Sequence, residues 1–484
     1  MNSTMVIALA GMLGLALLGA SGRRARARSH DLGDWTVGGR SFSTLTSWFL
    51  QAGEFFTTFS FLGLAGLAFS GGVAAVYALG YLALGLIPMY FLAPRFWKLG
   101  RDHGYVTQAD FFAERFRSPL LGKVVAVVGA VFLLPYLQLQ ITGLGVIVQL
   151  ATGSHSGAQL SMVLATALTA GFVLLAGIRG IARAAYAKDV LMVVALILLL
   201  VAVPVGIHGG FGGLFSGIQH SHPELLTLHQ NGLDGTWFVC AMLISSIGTG
   251  FNTMPHLWPA LLSARSGRAL QKNYVWLPLY QIALAIPIVI GFAGAFVLPR
   301  TTAPNQALLT MAGQALPGWL VGVVAVAAAG AAMVPSAAIV MGISSLVSHN
   351  LLPKRLGARG RLRANHLVVL AAAGLALLLG LNRPDLLANL LLLTFGGLAQ
   401  LAPATVAGLR DRVRLGALPA LLGIVTGVAV LTWLTFGGVD LGSVDAGLIA
   451  LVPNIAVTWG AHVLLRERTS VPEERAVELT GSPL

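Results

Sequence analysis

One carboxylate in this sequence stands inside an apolar stretch that is long enough to cross a bilayer. Glu54 lies in QAGEFFTTFS at 51–60, whereas the rest of the 17 acidic residues fall in loops or at the expected ends of helices. Its depth is roughly 17 Å from the start of the run, at the rise of an α-helix. Because a charge there costs about 3 kcal/mol or more, we expect Glu54 to serve an ion, a proton or a solute. The alternative is a neutral carboxyl that is hydrogen-bonded by Thr57, Thr58, Gln138 or Gln140.

Other polar side chains could line a cavity around this acid. They cluster near Glu54, on the apolar run at 120–151, and in a second polar interruption, SSIGTGFNTMPH at 245–256. Each alone is more often a helix–helix hydrogen bond than a ligand contact, but their concentration predicts a solute site. The expected site residues are Glu54, Phe55, Thr57, Thr58, Tyr136, Gln138, Gln140, Ser245, Thr249 and Asn252.

A charged pair, Lys188 and Asp189, stands where another apolar run begins, at 188–207. Opposite charges at a helix start are commonly an interfacial cap, which favours a structural role. The other interpretation is that one of the two side chains reaches inward as part of an ion pathway. The sequence leaves both interpretations open.

The composition excludes most protein classes. The chain has 484 residues, of which 56% are hydrophobic and 10% charged, whereas soluble domains are about 25% charged. That balance excludes an ordinary globular enzyme, a disordered chain and a coiled coil. The one cysteine excludes a disulfide scaffold and a cysteine-based metal centre. Since no nucleophile elbow, phosphate-binding loop or zinc-binding motif occurs, the sequence predicts neither an enzyme nor a cofactor.

Apolar runs of about 20 residues, the length that spans a bilayer, recur along the chain. They predict an all-α polytopic membrane protein with about thirteen spans. The expected spans are 4–21, 43–70, 73–93, 120–151, 160–177, 188–207, 236–256, 275–298, 318–347, 366–381, 386–408, 415–436 and 446–465.

The basic residues predict the orientation of these spans. With the N-terminus outside, 28 of the 30 Lys and Arg residues fall in segments on the cytoplasmic side, which is the positive-inside pattern. The net charge of +13 is thereby explained by topology and anionic lipid headgroups, without nucleic acid. We expect a multi-pass protein of the cell (inner) membrane whose C-terminus is cytoplasmic.

Two connecting segments have distinct compositions. Residues 95–118 mix Arg with Phe and Trp, which predicts an amphipathic interfacial helix. The outer loop at 208–235 is rich in Gly and holds four histidines; their loose spacing favours a surface loop over a metal site. The tail at 466–484 is polar and is expected to be disordered.

The two polar interruptions suggest a repeat. The spans that carry them are five helices apart and run in opposite directions, so a five-helix unit repeated along the chain must return inverted. Paired interruptions of this kind indicate a transporter site. The expected domains are a flanking helix and basic loop (1–41), a first repeat (42–207), the outer loop (208–235), a second repeat (236–408), two flanking helices (409–465) and the tail (466–484).

Several segments resemble the sodium:solute symporter family. The resemblance runs in order from about 35 to 410, through WTVGGRSFSTLTSWFLQAGEFFTTFSFLGLAGLAFSGG, PRFWKLGRDHGYVTQADFFAERF, AGIRGIARAAYAKDVLM, MPHLWPALLSARSGRALQKN and AAMVPSAAIVMGISSLVSHNLL. The AGEFFTTFSFLG and MPHLWP segments are most similar to the monocarboxylate or organic-acid permease branch. The resemblance implies the five-plus-five inverted-repeat fold of the leucine transporter with flanking helices.

The resemblance also implies a coupling-ion site. The family binds sodium between carbonyls at the break of the second helix, here Gly53 and Phe56, and a hydroxyl pair on the ninth, here Ala328 and Ala329. Since neither alanine offers an oxygen, and Ser336 lies two turns along, the sodium site looks incomplete. An acidic residue near the start of the sixth helix matches Asp189, but Lys188 precedes it. In some proton-coupled members of this fold, an ammonium occupies the cation site.

These observations predict a secondary active transporter that couples a cation to a small organic solute by alternating access. Sodium is the family default, and proton coupling through Glu54 or Lys188 is the alternative. The expected solute is a monocarboxylate, and an amino-acid zwitterion is the second candidate. A transporter-like membrane sensor and a passive channel are further classes that the sequence leaves open.

Overall fold

The computed structural model describes residues 3–26, 32–152, 157–230, 232–382 and 387–469. Within these ranges the chain is almost entirely helical, with one two-stranded antiparallel hairpin, His229–Gln230 with Leu233–Asp234. The helices are α1 Ser3–Arg26, α2 Leu32–Val37, α3 Thr44–Phe55, α4 Leu64–Gly71, α5 Tyr77–His103, α6 Gln108–Arg115, α7 Pro119–Thr152, α8 Ala158–His208, α9 Phe211–Ser221, α10 Gly235–Gly250, α11 Leu257–Ser263, α12 Gly267–Gln281, α13 Ala285–Val297, α14 Ala307–Ala315, α15 Gly318–Ser345, α16 Gly357–Asn382, α17 Leu387–Ala399, α18 Ala402–Gly408, α19 Ala417–Phe436 and α20 Ala446–Thr469.

Helices dominate because a backbone in lipid must satisfy its own hydrogen bonds. Among the described residues, nine helical segments are long and apolar enough to cross a membrane, or ten if the bent pair α17 and α18 forms one span. Of the nine, Phe59–His103 covers part of the expected span 43–70 and all of 73–93, and Gln159–His208 covers both 160–177 and 188–207. The all-α membrane fold is confirmed, whereas the count of thirteen spans and the domain boundaries stay predictions.

Both expected interruptions are present. Helix α3 ends at Phe55, Phe56 is extended (φ −91°, ψ 97°), and the chain resumes with a π-helical turn that leads into α4. Helix α10 ends at Gly250 and α11 begins at Leu257, with Asn252 in the left-handed region at φ 51°. Each break exposes backbone groups that an unbroken helix would have paired.

The sixth predicted span starts earlier than the sequence suggests. Helix α8 is bent at Gly177 (φ 55°, ψ −179°) and then continues without interruption to His208. Lys188 and Asp189 therefore lie inside the helix, 0% and 2% exposed, and the interpretation of this pair as an interfacial cap is wrong. The 28 Lys and Arg residues assigned to the cytoplasmic side include Lys188, and that assignment is wrong. The expectation that Glu54 is the only acid within a span is also wrong, because Asp189 is a second one.

The segment expected to be an amphipathic interfacial helix is divided. Its first part prolongs α5 to His103, and its second part forms α6. Phe111 and Phe112 of α6 are fully buried, and Phe111 packs edge-on against Phe96 and tilted against Trp258. The aromatic face of α6 therefore lies against protein, which corrects the expectation that it lies at the lipid surface.

The outer loop also has more structure than its composition suggests. It contains α9 and the hairpin, and His222 Nδ1 lies 3.1 Å from a carboxylate oxygen of Glu224. Most of the polar tail lies outside the described residues, since α20 runs to Thr469.

One end of the bundle gathers the segments that carry most of the Lys and Arg residues, and we call it the basic face. There the Phe42 amide donates to the Ser263 carbonyl at 3.0 Å, and the Arg265 amide donates to the Phe42 carbonyl at 2.9 Å, which forms a parallel bridge between Phe42 and Ala264. Trp97 Nε1 donates to the Ala264 carbonyl at 2.7 Å. Helix α3 starts at this face, and α15 ends there, where Ser345 meets Thr36.

Candidate functional site: a buried ammonium at the break after α3

The Lys188 side chain ends on the first helix break. Its ammonium donates to the carbonyl oxygens of Gly53 at 3.2 Å and Phe56 at 2.7 Å, and to Asp189 Oδ1 at 2.8 Å. These two carbonyls are the ones that the family resemblance assigns to sodium. In this structure an ammonium therefore lies where the sequence predicts a metal cation.

The carbonyls are available because the helix is interrupted. In an unbroken helix the amide of Thr57 would donate to the Gly53 carbonyl, but here it donates to Ser60 Oγ at 3.2 Å. The extended Phe56 turns its own carbonyl out of the helical ladder. Free carbonyls in apolar surroundings need a donor or a cation, and Lys188 supplies both.

Helix α15 makes room for the lysine stem. A Cβ at Gly330 would come within 3.0 Å of Lys188 Cγ. Ala328 and Ala329 precede it, 1% and 0% exposed, and provide no hydroxyl. Ser336 donates its hydroxyl to the carbonyl of Ala332 in its own helix, at 2.6 Å. None of these positions supplies the oxygen ligands of the family's sodium site.

Asp189 has a second partner that sequence analysis missed. The Tyr280 hydroxyl donates to Asp189 Oδ1 at 3.2 Å, and its ring packs edge-on against Phe56 and Trp48, each at 5.4 Å. The other oxygen, Asp189 Oδ2, has no hydrogen-bond partner among the described residues. Tyr280 therefore helps to fix the carboxylate that holds the ammonium.

Glu54 adds a second carboxyl to this buried cluster. It is 1% exposed, and neither of its oxygens has a hydrogen-bond partner within the described chain. Lys188 is the charged side chain that acts on it electrostatically. Two carboxylates and one ammonium carry one surplus negative charge, and an uncompensated buried charge is costly. The cluster is thus short of one positive charge when both acids are ionised.

The structure brings some of the predicted polar residues together. Thr58 donates both its amide and its hydroxyl to Gln140 Oε1. The Tyr136 hydroxyl interacts with the Thr57 side chain and lies within electrostatic range of Glu54. The buried Ser245 hydroxyl has no partner among the described residues. Thr57, Thr58, Tyr136 and Gln140 border the break that follows Glu54 and Phe55, of which Phe55 is half-buried.

Two predicted site residues pack between helices instead. Thr249 fits against Gly85 of α5, where an added Cβ would lie 2.7 Å from the threonine Cβ. Gln138 lies beside Gly380 of α16, on the side of α7 away from Gln140. Their positions favour helix packing over solute contact.

The second break presents two buried polar side chains. Two side chains fix the backbone of Asn252, because its carbonyl accepts hydrogen bonds from Gln108 Nε2 at 3.2 Å and from Trp258 Nε1 at 2.8 Å. Its side-chain amide has no partner among the described residues, and neither does His256 Nδ1. His256, which sequence analysis did not select, is 2% exposed and meets the Tyr136 ring at 5.3 Å between centroids.

Comparison with known proteins gives a family over most of the chain. The model of the sodium:solute symporter family matches residues 35–422. The chain is 31% identical to YhjB, a symporter of Bacillus subtilis (strain 168), over 98% of this chain and 100% of that one. It is 27% identical to a monocarboxylate transport permease protein of Rhizobium johnstonii (strain DSM 114642 / LMG 32736 / 3841), over 90% and 91% of the two chains.

Solved transporters share the fold. A Na+-coupled sialic acid symporter in a substrate-bound outward-open state superimposes with a TM-score of 0.80 at 14% identity, over 96% of this chain and 98% of that one. A nucleobase-cation-symport-1 family transporter in a closed conformation superimposes with a TM-score of 0.54 at 17% identity, over 87% and 93%. Both proteins are transporters with the leucine-transporter fold, and neither is an enzyme. The family match and the identity to YhjB show that the chain belongs to the sodium:solute symporter family.

Proposed function

We propose that this member of a cation-coupled symporter family uses the proton as its coupling cation and carries a small monocarboxylate. The observation that carries the proposal is the Lys188 ammonium on the carbonyls of Gly53 and Phe56. A sodium ion at the same oxygens would stand within a few ångströms of a fixed positive charge, and like charges repel strongly where water is excluded. Sodium, the family default, is therefore the second candidate.

Glu54 is the proposed proton carrier. The buried cluster lacks one positive charge when Asp189 and Glu54 are both ionised, and a proton on Glu54 removes the surplus. Its two unpartnered oxygens leave it free to gain and lose that proton. Lys188 and Asp189 are paired to each other, so their charges cancel and stay in place.

A monocarboxylate suits a protonated Glu54. An ionised Glu54 would repel an anionic solute, whereas the neutral acid can donate a hydrogen bond to it. The helical segments that follow the two breaks, beginning at Phe59 and at Leu257, turn the positive ends of their helix dipoles towards the breaks. The likeness to the Rhizobium permease supports the same solute class. An amino acid is the alternative solute, because its ammonium would favour an ionised Glu54.

The orientation is part of the proposal. The basic face, with the loops that hold most of the Lys and Arg residues, is proposed to be cytoplasmic in the cell membrane. Solute and proton then enter from the opposite face and leave at the basic face by alternating access.

The first test is uptake into proteoliposomes of purified protein. We expect radiolabelled pyruvate, lactate or acetate to accumulate when the outside is acidic, equally well in sodium and in choline buffer. Proline should not accumulate. Accumulation that requires a sodium gradient and ignores the pH gradient would overturn proton coupling, and accumulation of proline alone would overturn the solute class.

A second prediction concerns charge movement. One proton carried with one monocarboxylate moves no net charge, so a membrane potential should not drive uptake. Each net charge moved would instead add about 2.3 kcal/mol per 100 mV to the driving force. We expect pyruvate uptake at a fixed pH gradient to be the same when potassium and valinomycin clamp the potential at zero or at inside-negative values. A rise in uptake with the negative potential would mean that more than one cation accompanies each anion.

A further inference from the structure

His256 is a buried titratable group that the proposed cycle has not used. It lies in the second break, directly before the first residue of α11. Its Nδ1 has no hydrogen-bond partner among the described residues. A histidine that serves packing alone normally pairs its ring nitrogens when it is buried. The unpartnered nitrogen therefore points to a role in which the imidazole gains or loses a proton.

Helix α15 gives the relative depth of His256 and the Glu54 cluster. Gly53 packs near Val334, whose Cγ1 would lie 3.5 Å from a Cβ added at Gly53. His256 packs on Gly342, where an added Cβ would lie 2.9 Å from the histidine Cα. The eight residues from Val334 to Gly342 correspond to about 12 Å along a helix. Since α15 ends at the basic face, His256 lies nearer to that face than Glu54 does.

Tyr136 connects the two positions. Its ring meets the His256 ring edge-on at 5.3 Å, and its hydroxyl lies beside Thr57 and within electrostatic range of Glu54. Helix α15 also packs on His256, where it presents the backbone of Gly342. Tyr136 from α7 is the titratable side chain that faces the imidazole, and no charged side chain of the described chain acts on it.

Beyond His256, polar groups continue to the basic face. The Asn252 carbonyl accepts a hydrogen bond from the side chain of Gln108, at the start of α6. Two residues further, Asp110 lies 3.3 Å from the His349 ring and accepts from Asn350 at 2.7 Å. This pair is partly exposed, so a proton that reaches it can leave to water.

We propose that His256 is the proton relay between Glu54 and the basic face; the inference rests on the proton coupling proposed above. After the solute leaves, the O–H bond of Glu54 breaks. When the Tyr136 hydroxyl comes within hydrogen-bond reach of both groups, it accepts that proton while it gives its own to His256 Nδ1, which becomes an imidazolium. Loss of the imidazolium proton towards the basic face returns neutral histidine, and the balance is one proton moved from Glu54 to the cytoplasm.

The test separates net uptake from exchange. Net uptake requires Glu54 to lose its proton in each cycle, whereas exchange of labelled for unlabelled solute can proceed with the proton retained. We expect His256→Gln to slow pH-driven pyruvate uptake by about 100-fold, the lower end of what a positioned proton-transfer group contributes. Exchange in proteoliposomes preloaded with unlabelled pyruvate should stay within a factor of two of wild type. Tyr136→Phe should slow net uptake in the same way.

The control is His220→Gln, which changes an exposed histidine of α9 and should alter neither rate. Equal loss of uptake and exchange in His256→Gln would overturn the relay, because it would indicate a role in binding or folding. Unchanged net uptake would also overturn it. If wild-type uptake ignores the pH gradient, the proposed coupling fails first, so the two failures are distinguishable.

Discussion

Glu54→Gln is expected to abolish the accumulation of pyruvate against its gradient. Glutamine has the shape of the protonated acid and cannot release a proton. The cycle therefore stops at the step where the carrier must return without solute and without a proton on residue 54. The variant should still fold, because the buried carboxyl makes no hydrogen bond that the amide would lose. The substitution also adds no desolvation penalty, since an amide costs less free energy to bury than a charged carboxylate.

The measurement is the ratio of internal to external labelled pyruvate under an acidic-outside gradient, which should fall to one. Exchange with preloaded pyruvate should persist, since the variant resembles the proton-loaded state. Glu224→Gln is the matched control, because it makes the same change on a carboxylate that is partly exposed at the opposite face. If Glu54→Gln concentrates pyruvate as wild type does, Glu54 has no part in the coupling.

The sequence predicts well those features that depend only on consecutive residues. An acid inside an apolar run and two polar interruptions are local patterns, and both breaks occur where the patterns lie. The family resemblance also assigned Gly53 and Phe56 as paired carbonyls, and the ammonium contacts both. Local patterns of this kind depend little on where distant helices pack.

The depth of Lys188 depended on a feature outside its own segment. The stretch GIRGIARAAYAK looks like a basic loop, which placed the next helix start at 188. The bend at Gly177 instead lets the helix begin earlier, while Arg179 is held at the basic face by Asp34 at 2.8 Å. The conformation of Gly177 therefore decides that Lys188 lies in the interior and not at the interface.

His256 and Tyr280 were missed for a different reason. Each depends on a partner far away in the chain, Tyr136 for the histidine and Asp189 for the tyrosine. An aromatic or a histidine in an apolar run is ordinary packing until its partners are known. Only the packing of α7 and α8 against the second half of the chain gives these residues their neighbours.

Lys188→Ala should stop transport in sodium-free buffer, and it tests the most specific feature of the site. The change leaves Asp189 as a buried carboxylate without its cation, and breaking such a pair costs about 3–5 kcal/mol. We expect the melting temperature to drop and pH-driven pyruvate uptake to disappear. Lys272→Ala, which removes an exposed lysine of α12, is the matched control and should change neither.

The same variant should respond to sodium, which wild type should not. Without the ammonium, the carbonyls of Gly53 and Phe56 and the Asp189 carboxylate form a partial cage for a hard cation. Adding Ala329→Ser supplies one of the hydroxyls that the family uses, so we expect sodium to raise the melting temperature of the double variant. An ion at 100 times its dissociation constant stabilises by about 2.7 kcal/mol. Wild-type stability that rises with sodium, or wild-type transport rates in Lys188→Ala, would show that the ammonium does not replace the coupling ion. A melting temperature that rises with sodium in both variants, but not in wild type, would show that the lysine side chain separates the two modes of coupling.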